Sequence, residues 1–198
     1  IFGGETVEHE VSIISALQAI NKIDEEKYEV VPIYITKDRE WYTGDMLKDI
    51  DVYRDLDLVK RYATNVVLFY KNGSCVLQKK NGLIKRIIKE IDIAFPIVHG
   101  TNVEDGTIAG YLNMLGLPYV GPDILASSVG MDKIAMKKVM KESGLPVVDY
   151  VSFYGMEYNK DEDKFINEIE QKLGYPTIVK PANLGSSVGI KKAKSKQE

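Results

Sequence analysis

Apolar residues recur every three positions between Glu8 and Ile23, and this spacing predicts a helix with one buried face. The stripe consists of Val11, Ile14, Leu17, Ile20 and Ile23, widened by Ile13 and Ala16. Before the helix, "IF" followed by Gly3-Gly4 predicts a strand end and a tight turn. After it, "YEVVPIYI" (28–35) is a nearly continuous apolar run, the pattern of a strand covered on both faces. Strand, helix and strand in this order predict a parallel crossover unit.

The stretch from 44 to 90 has a different pattern. "NVVLFYKNGSCVLQKKNGLIKRII" places two Asn-Gly pairs between β-prone runs, and Asn-Gly is the strongest short hairpin signal, so we predict a β-meander. "IDIAFPIV" (91–98) returns to the buried-strand pattern and leads into the polar loop "HGTNVEDG" (99–106). "TIAGYLNMLG" then predicts a short helix with Gly116 at its end, and "PYVG" (118–121) predicts a short strand.

The pattern changes again at Pro122. "DILASSVGMDKIAMKKVMKESG" predicts a helix, "VVDYVSFY" a strand and "DEDKFINEIEQKLG" a second helix. "PTIVKP" and "VGIKKA" predict two strands joined by the loop that contains "GSS". This α+β pattern does not continue the parallel one. We therefore predict two domains, an α/β parallel-sheet domain over 1–121 and an α+β domain over 122–198.

Composition narrows the classes of function. Of the 198 residues 44% are hydrophobic and 28% charged, which is ordinary for a globular protein. The net charge of -3 gives no electrostatic reason to expect nucleic acid or an anionic membrane as a partner. The single cysteine, Cys75, cannot form an internal disulfide and stands in a strand-like run, so we expect a packing residue in a protein of the reducing cytoplasm.

Both ends of the sequence indicate a piece of a longer protein. It begins with "IFGG", without Met, as though a strand were entered midway, and it ends with "KKAKSKQE" at the exit of a predicted strand. The first residues contain no basic region followed by an apolar stretch, so they do not resemble a signal peptide.

Two stretches of the first predicted domain could carry chemistry. In "GGETVEHEVS" (3–12) the glycines permit a sharp turn that leaves a helix N-terminus open to a ligand. Glu8 and Glu10 either complement the helix dipole, which the pattern alone favours, or Glu8 pairs with a cation such as an amine. His99 opens "HGTNVEDG" at the end of a predicted strand, where ligands of α/β sheets bind, and is as readily structural as catalytic. No His/Cys spacing fits a zinc site.

Two further stretches lie in the second predicted domain. Lys133 stands in the first turns of a helix, unfavourable for its charge, and is either simply solvated or held for a phosphate. Lys180 closes an apolar strand, which requires its ammonium to reach solvent or an anion. The run Gly185-Ser186-Ser187 offers backbone N–H groups and hydroxyls that can wrap a phosphate, although a solvated turn has the same composition.

Taken together, these four stretches resemble the D-alanine–D-alanine ligases of the ATP-grasp superfamily. "GGETVEHEVS" is similar to their double glycine followed by E-x-E-V-S, and "HGTNVEDGTIAG" to their HG-x-x-x-EDG-x-x-x-G motif. "VGPDILASSVGMDK" and "VKPANLGSSVG" resemble their linker with its "MDK" helix and their glycine-rich loop. The resemblance spans the whole chain. It implies an N-terminal pre-ATP-grasp domain and the first subdomain of an ATP-grasp fold, without the C-terminal subdomain.

The resemblance also implies roles on the amino-acid side. Glu8 would hold the ammonium of the first D-alanine, and Ser186 would belong to a hydrogen-bonded set with Glu8 and a tyrosine of a mobile loop. His99 would line the first D-alanine site. The implied reaction has two steps, formation of an acyl phosphate from the first D-alanine and ATP, and displacement of phosphate by the amine of the second D-alanine.

On the phosphate side, the resemblance implies that Lys133 and Lys180 contact the ATP phosphates and that Ser187, with the backbone around Gly185, covers them. The family's Mg²⁺ ligands, its mobile-loop tyrosine and its oxyanion arginine lie downstream of residue 198, so we expect no metal ligands here and no ligation by residues 1–198 alone. A homodimer is implied by the resemblance only. One departure from the family pattern is Val103, where many members have glycine.

Three alternatives remain at this point. The same motifs fit a ligase that joins D-alanine to D-serine or D-lactate, as in glycopeptide resistance. A nucleotide-dependent dehydrogenase would need G-x-G-x-x-G after the first strand, where this chain has "GGETVE". A non-catalytic ATP-grasp nucleotide-binding module would have no use for Glu8 and Ser186, whose presence favours the enzyme.

Overall fold

A computed structural model describes all residues from 1 to 198 and divides into two compact units, Ile1–Ser128 and Val129–Glu198. The first unit contains one six-stranded sheet in the order β1 to β6. Its strands are β1 (Phe2–Gly3), β2 (Ile33–Ile35), β3 (Trp41–Thr43), β4 (Thr64–Lys71), β5 (Ser74–Lys79) and β6 (Ile87–Ile91). Its helices are α1 (His9–Ile20), α2 (Leu56–Tyr62) and α3 (Thr107–Met114), with 3-10 turns at Asp45–Lys48 and Ile50–Arg54. Helix α4 (Ile124–Met131) contains the division between the units.

The sheet is mixed, with its parallel part at the β1 edge. β1 pairs in parallel with β2, with Phe2 opposite Tyr34, and α1 connects the two strands, which confirms the predicted crossover unit. Two isolated parallel bridges, Phe2 to Ile97 and Ala94 to Tyr119, extend this part. The remaining strands pair antiparallel. The α/β fold class is therefore confirmed, with a sheet that is parallel over only part of its width.

The predicted β-meander is confirmed in β4, β5 and β6. Asn72 and Gly73, with φ of 51° and 95°, form the turn between β4 and β5, and a two-residue turn of this kind needs positive φ at both positions. Cys75 lies in β5, is 5% exposed and is a free cysteine, as expected for a packing residue. The first part of the stretch 44–90, from 44 to 62, does not belong to the meander and instead forms the two 3-10 turns and α2.

Alternate side chains of β2 point into two different hydrophobic cores, one on each face of the sheet. Ile33 and Ile35 belong to one apolar cluster, shared with Leu112 of α3, whereas Tyr34 points into the other, shared with Leu17 of α1. Because neighbouring strand residues face opposite sides, α1 and α3 cover opposite faces of the sheet. The carboxyl ends of the parallel strands consequently lie near the N-terminal ends of α1 and α3.

Three predicted strands are shorter than expected. Only Ile33–Ile35 of 28–35 is a strand, and, apart from Ile91 at the end of β6, "IDIAFPIV" and "PYVG" contribute only the bridges at Ala94, Ile97 and Tyr119. Pro96 interrupts the second of these runs, because proline has no N–H to donate to a ladder. The apolar composition of these runs reflects half-buried packing rather than regular strand pairing.

The buried stripe of α1 also differs from the prediction. Val11 and Ile14 are 47% and 50% exposed, and the buried face consists of His9, Ser12, Ile13, Ala16 and Leu17. The apolar spacing therefore located the helix correctly, and Ile13, Ala16 and Leu17 are buried as predicted. Two polar side chains that the predicted stripe did not include, His9 and Ser12, complete the buried face.

The second unit is an α+β arrangement. It contains α5 (Lys133–Glu142), α6 (Gly155–Tyr158), α7 (Glu162–Lys172) and an antiparallel pair, β7 (Thr177–Val179) and β8 (Lys191–Ala193). The helix predicted over 123–144 is broken at Asp132, whose carboxylate accepts hydrogen bonds from the N–H groups of Ile134 (2.9 Å) and Ala135 (2.8 Å) and so begins α5.

Two predictions for this unit are wrong. "VVDYVSFY" is not a strand, because the sheet of this unit contains only β7 and β8 and gives the run no partner. The strand that Lys180 closes is not buried, since Ile178 and Val179 of β7 are 50% and 47% exposed. No helix in residues 1–198 has both the length and the apolar character that crossing a membrane requires.

Candidate functional site

The turn between β1 and α1 depends on two glycines. Gly3 and Gly4 have φ of 88° and 106°, values that side chains disfavour. A Cβ on Gly3 would overlap the carbonyl oxygen of Ile35, and one on Gly4 would meet the side chain of Val103. The turn can therefore approach both β2 and the loop after residue 98 closely, which brings the two predicted motifs of this unit together.

Ser12 fastens helix α1 to the ends of two strand segments. Its hydroxyl is fully buried, accepts a hydrogen bond from the Gly3 N–H (2.8 Å) and donates one to the Ile97 carbonyl (2.5 Å). A buried backbone group without a partner would cost free energy, so this one hydroxyl satisfies both groups. The first turn of the helix is thereby held over the carboxyl ends of the strands.

His9 has a similar role on the other side of the turn. It is 1% exposed, its Nδ1 lies 2.7 Å from the Gly4 carbonyl oxygen, and its Nε2 lies 2.8 Å from the Tyr34 hydroxyl. Because a carbonyl only accepts, Nδ1 carries the hydrogen and Nε2 accepts from Tyr34. Burial lowers the pKa of His9 and raises the pKa of Tyr34 to about 12, so burial favours the neutral form of both groups.

Glu8 occupies the residue immediately before α1, at the N-terminal end of the helix. Its N–H donates to Thr6 Oγ1 (3.2 Å), and its side chain is partly buried. A Cβ on Gly100 would meet Thr6 Oγ1 and lie 2.9 Å from Glu8 Oε2, so the Glu8 carboxylate borders the loop after His99. Sequence reasoning predicted both stretches, and the structure places them side by side.

Glu10 has a different environment from Glu8. Its carboxylate accepts a hydrogen bond from Lys37 Nζ at 2.6 Å, and this bond lowers the pKa of Glu10. Both side chains are largely exposed, and a pair of this kind contributes little stability. Of the two candidate acids, Glu10 therefore forms an ion pair at the surface, whereas Glu8 lies partly buried beside the loop after His99.

The loop from 99 to 106 is braced by its own acids. Glu104 accepts the Gly100 N–H at 2.7 Å, and Asp105 accepts the N–H groups of Asn102 (2.9 Å) and Thr107 (3.2 Å). These bonds hold the loop in a defined conformation. Of the two acids, only Asp105 contacts the start of α3, because it also accepts a hydrogen bond from the Thr107 hydroxyl (2.6 Å).

His99 is partly buried, with Nε2 3.3 Å from Ser15 Oγ. It lines a cavity of about 280 Å³ together with Val103, Glu104, Ile108, Tyr119 and Ser127. The cavity lies where the segment 94–98 ends, and its wall is mostly apolar with a few polar groups, as small-molecule sites usually are. A second groove, of about 340 Å³, is lined mainly by apolar side chains such as Ile20 and Phe95, together with Asp24 and Glu29, and includes none of the predicted site residues.

The glycine-rich loop of the second unit has an unusual backbone. Ser186 and Ser187 have φ of 48° and 61°, and Gly189 has 73°. Hydrogen bonds from the N–H of Val188 to Gly185 (3.0 Å) and of Ile190 to Ser187 (3.2 Å) close two turns in succession. Two consecutive serines with positive φ store strain of about 1–3 kcal/mol each, which proteins retain where the conformation has a use.

Lys133 contacts this loop directly. Its Nζ donates to the carbonyls of Leu184 (2.6 Å) and Ala182 (3.2 Å), and its backbone N–H donates to Ala182 (3.1 Å). An ammonium group has three donors, so one remains for another acceptor. Lys180 follows β7 directly, is exposed and forms no salt bridge within residues 1–198. These two lysines and the backbone N–H groups of Gly185–Ser187 are the groups of the second unit that the sequence predicted to bind phosphate.

Sequence reasoning missed His9 and Ser12. Their signal was their spacing, since positions 9, 12, 13 and 16 lie on one helical face, but polar residues on that face were not counted. No group of three or more His, Cys, Asp or Glu side chains in residues 1–198 could hold a metal ion.

Comparisons with known proteins match the chain over nearly its full length. The family profile for the D-ala D-ala ligase N-terminus matches residues 1–122, and the profile for the D-ala D-ala ligase C-terminus matches residues 139–198. The D-alanine–D-alanine ligase of Natranaerobius thermophilus is 44% identical over 100% of this chain and 53% of its own length. The chain thus spans about half the length of the curated relatives it matches.

Solved structures give the same result. The D-alanine–D-alanine ligase from Coxiella burnetii has a TM-score of 0.83 and 33% identity, over 99% of this chain and 56% of that one. The VanG D-Ala:D-Ser ligase from Enterococcus faecalis has a TM-score of 0.78 and 34% identity, over 99% and 55%.

Proposed function

This chain belongs to the D-alanine–D-alanine ligase family, and we propose that the full-length protein joins two D-alanines in an ATP-dependent reaction that supplies peptidoglycan precursors. The observation that carries the proposal is the position of the Glu8 carboxylate, at the N-terminal end of α1 and beside Gly100. Glu8 is partly buried, its carboxylate lies beside Gly100, and a carboxylate can pair with an ammonium ligand.

On the amino-acid side, Glu8 holds the ammonium of the first D-alanine and His99 lines the pocket beside it. The cavity at His99, of about 280 Å³, lies near the lower end of the range of about 300–1,000 Å³ that small-molecule pockets span. Ser186 acts on the same substrate side, as the family resemblance implies. The wall of Val103 and Ile108 excludes water from one side of the pocket and thereby strengthens the electrostatic contacts within it.

On the nucleotide side, Lys133 and Lys180 neutralise charge on the ATP phosphates, and the backbone N–H groups of Gly185–Ser187 cover them. The third donor of the Lys133 ammonium supports this role, as does the absence of a salt bridge at Lys180. Phosphoryl transfer depends mainly on positioning and charge neutralisation, which these groups supply without covalent chemistry.

The reaction proceeds in two steps. A carboxylate oxygen of the first D-alanine attacks the γ-phosphorus of ATP, giving D-alanyl phosphate and ADP. The amine of the second D-alanine then attacks the acyl carbon, loses a proton and expels inorganic phosphate. Glu8 orients the first substrate in both steps, because its partner ammonium does not take part in bond making.

Further parts of the proposal rest on the family alone. Mg²⁺ would be bound by residues outside 1–198, and the protein would act as a cytoplasmic homodimer. The buried, unpaired Cys75 is in keeping with a reducing compartment. We also propose a functional boundary near residue 122 between an N-terminal domain (1–121) and an ATP-grasp subdomain (122–198), which the end of the first family match at residue 122 supports.

The test is ADP release by the full-length protein with D-alanine and ATP. We expect Glu8→Gln to raise the KM for the first D-alanine at least tenfold, because an amide cannot pair with the ammonium charge. Glu10→Gln is the matched control, since Glu10 is an acid of the same helix turn whose partner is Lys37, and it should change KM less than twofold. Equal effects of the two substitutions would contradict the assignment of Glu8.

Product analysis separates the alternatives. With D-alanine, D-serine and D-lactate in competition, D-alanyl-D-alanine should dominate, in agreement with relatives of 41–44% identity named D-alanine–D-alanine ligase. D-alanyl-D-serine as the main product would place the protein with ligases such as VanG. ATP binding without any ligation by the full-length protein would favour a non-catalytic nucleotide-binding module.

A further inference from the structure

His9 begins a chain of hydrogen bonds that ends at Glu8. Its Nδ1–H donates to the Gly4 carbonyl, which also accepts the N–H of Thr6 at 3.1 Å. The Thr6 hydroxyl in turn accepts the Glu8 N–H at 3.2 Å. The other ring nitrogen is anchored on strand β2 through the hydroxyl of Tyr34. The ring therefore connects the sheet to the backbone that carries Glu8.

We propose that His9 is a positioning residue for substrate binding, which acts through the Gly4 carbonyl to hold the turn of residues 4–8 and hence the Glu8 carboxylate in place. The inference rests on the proposed function in that Glu8 is taken as the group that binds the first D-alanine ammonium. His9 does not contact the substrate in this proposal, and its hydrogen bond to the Tyr34 hydroxyl fixes the ring to β2.

A space-filling role alone does not account for these contacts. His9 and Tyr34 are both 1% exposed, and an apolar residue in place of His9 would leave the Tyr34 hydroxyl buried without a partner. Burial disfavours the charged form of His9 and so lowers its pKa, and the buried neutral ring still needs a hydrogen-bond partner for each of its two nitrogens. Ser12 already fastens the helix to β1 and to Ile97, so the bonds of His9 hold a different segment, the turn itself.

Two substitutions separate the nitrogens of His9. The amide of asparagine reaches about as far as Nδ1, so His9→Asn can keep the bond to Gly4 and lose the one to Tyr34. The amide of glutamine reaches about as far as Nε2, so His9→Gln can keep Tyr34 and lose Gly4. Tyr34→Phe removes only the anchor on β2 and leaves the bond to Gly4.

The full-length ligase is the protein to test. We expect His9→Gln to raise the KM for the first D-alanine at least tenfold, and His9→Asn and Tyr34→Phe to raise it about threefold or less. The KM for ATP should stay within twofold in all three variants, because the proposed phosphate-binding residues do not contact His9. Equal increases for His9→Asn and His9→Gln, or parallel increases for ATP and D-alanine, would overturn the positioning role in favour of general packing.

Amide hydrogen exchange gives a readout that does not require activity. His9→Gln should speed exchange at Thr6 and Glu8 at least tenfold relative to Leu68 in β4, which reports the sheet as a whole. Unchanged exchange at Thr6 and Glu8 would overturn the inference. If the wild-type protein ligates no D-amino acid, the proposed function fails, while a selective change at these two amides still supports the role of His9 in holding the turn.

Discussion

Replacing Ser12 by alanine tests the anchoring of helix α1. The substitution removes one buried oxygen that satisfies two backbone groups, the N–H of Gly3 at 2.8 Å and the carbonyl of Ile97 at 2.5 Å. Ser12 is 0% exposed, so water cannot take its place without a local opening. Both groups would remain in the folded protein without a protein partner.

The expected cost follows from the burial of each group. A fully buried donor left unpaired costs about 1–3 kcal/mol, and the carbonyl of the partly exposed Ile97 adds about 1 kcal/mol. We therefore expect Ser12→Ala to reduce the free energy of unfolding by about 2–4 kcal/mol. This is a large share of the roughly 5–15 kcal/mol that stabilises most domains.

The assay is urea unfolding followed by the fluorescence of Trp41, the single tryptophan of the chain, which lies in β3 and packs against Tyr111. With a slope of about 2 kcal/mol per molar urea, the midpoint should fall by roughly 1–2 M. Ser15→Ala is the control, since Ser15 lies one turn along the same helix and makes only a 3.3 Å contact to His99. A loss below 1 kcal/mol, or one no greater than that of Ser15→Ala, would refute the reasoning.

Three further outcomes are expected. Burial lowers the pKa of His9 below the value of about 6.5 in an unfolded chain, so the unfolded protein binds more protons than the folded one as the pH falls below 6.5. The free energy of unfolding of the wild type, measured in urea, should therefore decrease between pH 7 and 5.5, and it should decrease less in His9→Asn. An equal pH dependence in the two proteins would contradict this role of His9. Gly100→Ala should lower the ligation rate of the full-length protein at least tenfold, because the new Cβ would meet Thr6 and Glu8. Gly73→Ala is the control, since Gly73 has a similar φ but no atom within 4 Å of the new Cβ, and it should leave the rate nearly unchanged; similar losses of rate in both variants would argue against a steric cause. Ser187→Gly should stabilise the second unit by about 1 kcal/mol in thermal unfolding by relieving a positive φ, and a destabilised variant would show that the serine side chain matters more than the strain.

Local chemistry made part of the fold predictable from sequence. The Asn72-Gly73 turn followed from its dipeptide, since few other residues adopt positive φ at both turn positions. The end of α3 followed from Gly116, whose φ is 66°, with proline two residues beyond. Such features depend on a few consecutive residues, so no knowledge of the rest of the protein is needed.

Features that depend on residues far away in the sequence were harder to predict. The run 91–98 has the composition of a strand, but regular pairing also needs neighbours in register and a donor at Pro96. Asp132 was read as an ordinary helical position, and only the structure shows its carboxylate starting a new helix. Hydrophobic spacing indicates that a helix is buried on one face but does not tell which face when polar residues line it.

The candidate site likewise combines features that the local sequence predicts with features that depend on distant residues. The motifs with Glu8 and His99 could be singled out by their glycines and their places at strand ends, and the structure brings their loops into contact. The separation of Glu8 from Glu10 could not be predicted, because it depends on Lys37, which is far away in sequence. The partners of His9 and Ser12 lie up to 85 residues away, beyond the reach of any local pattern.

The polar buried face of α1 has a consequence for how this protein can change over evolution. Apolar contacts are non-directional, so a helix held by them alone can rotate or slide slightly when neighbouring core residues are exchanged. Hydrogen bonds from Ser12 and His9 have fixed lengths and directions, and they set the rotation and the axial position of α1. Core residues around this helix can therefore drift at some cost in stability while the direction of the Glu8 carboxylate stays the same.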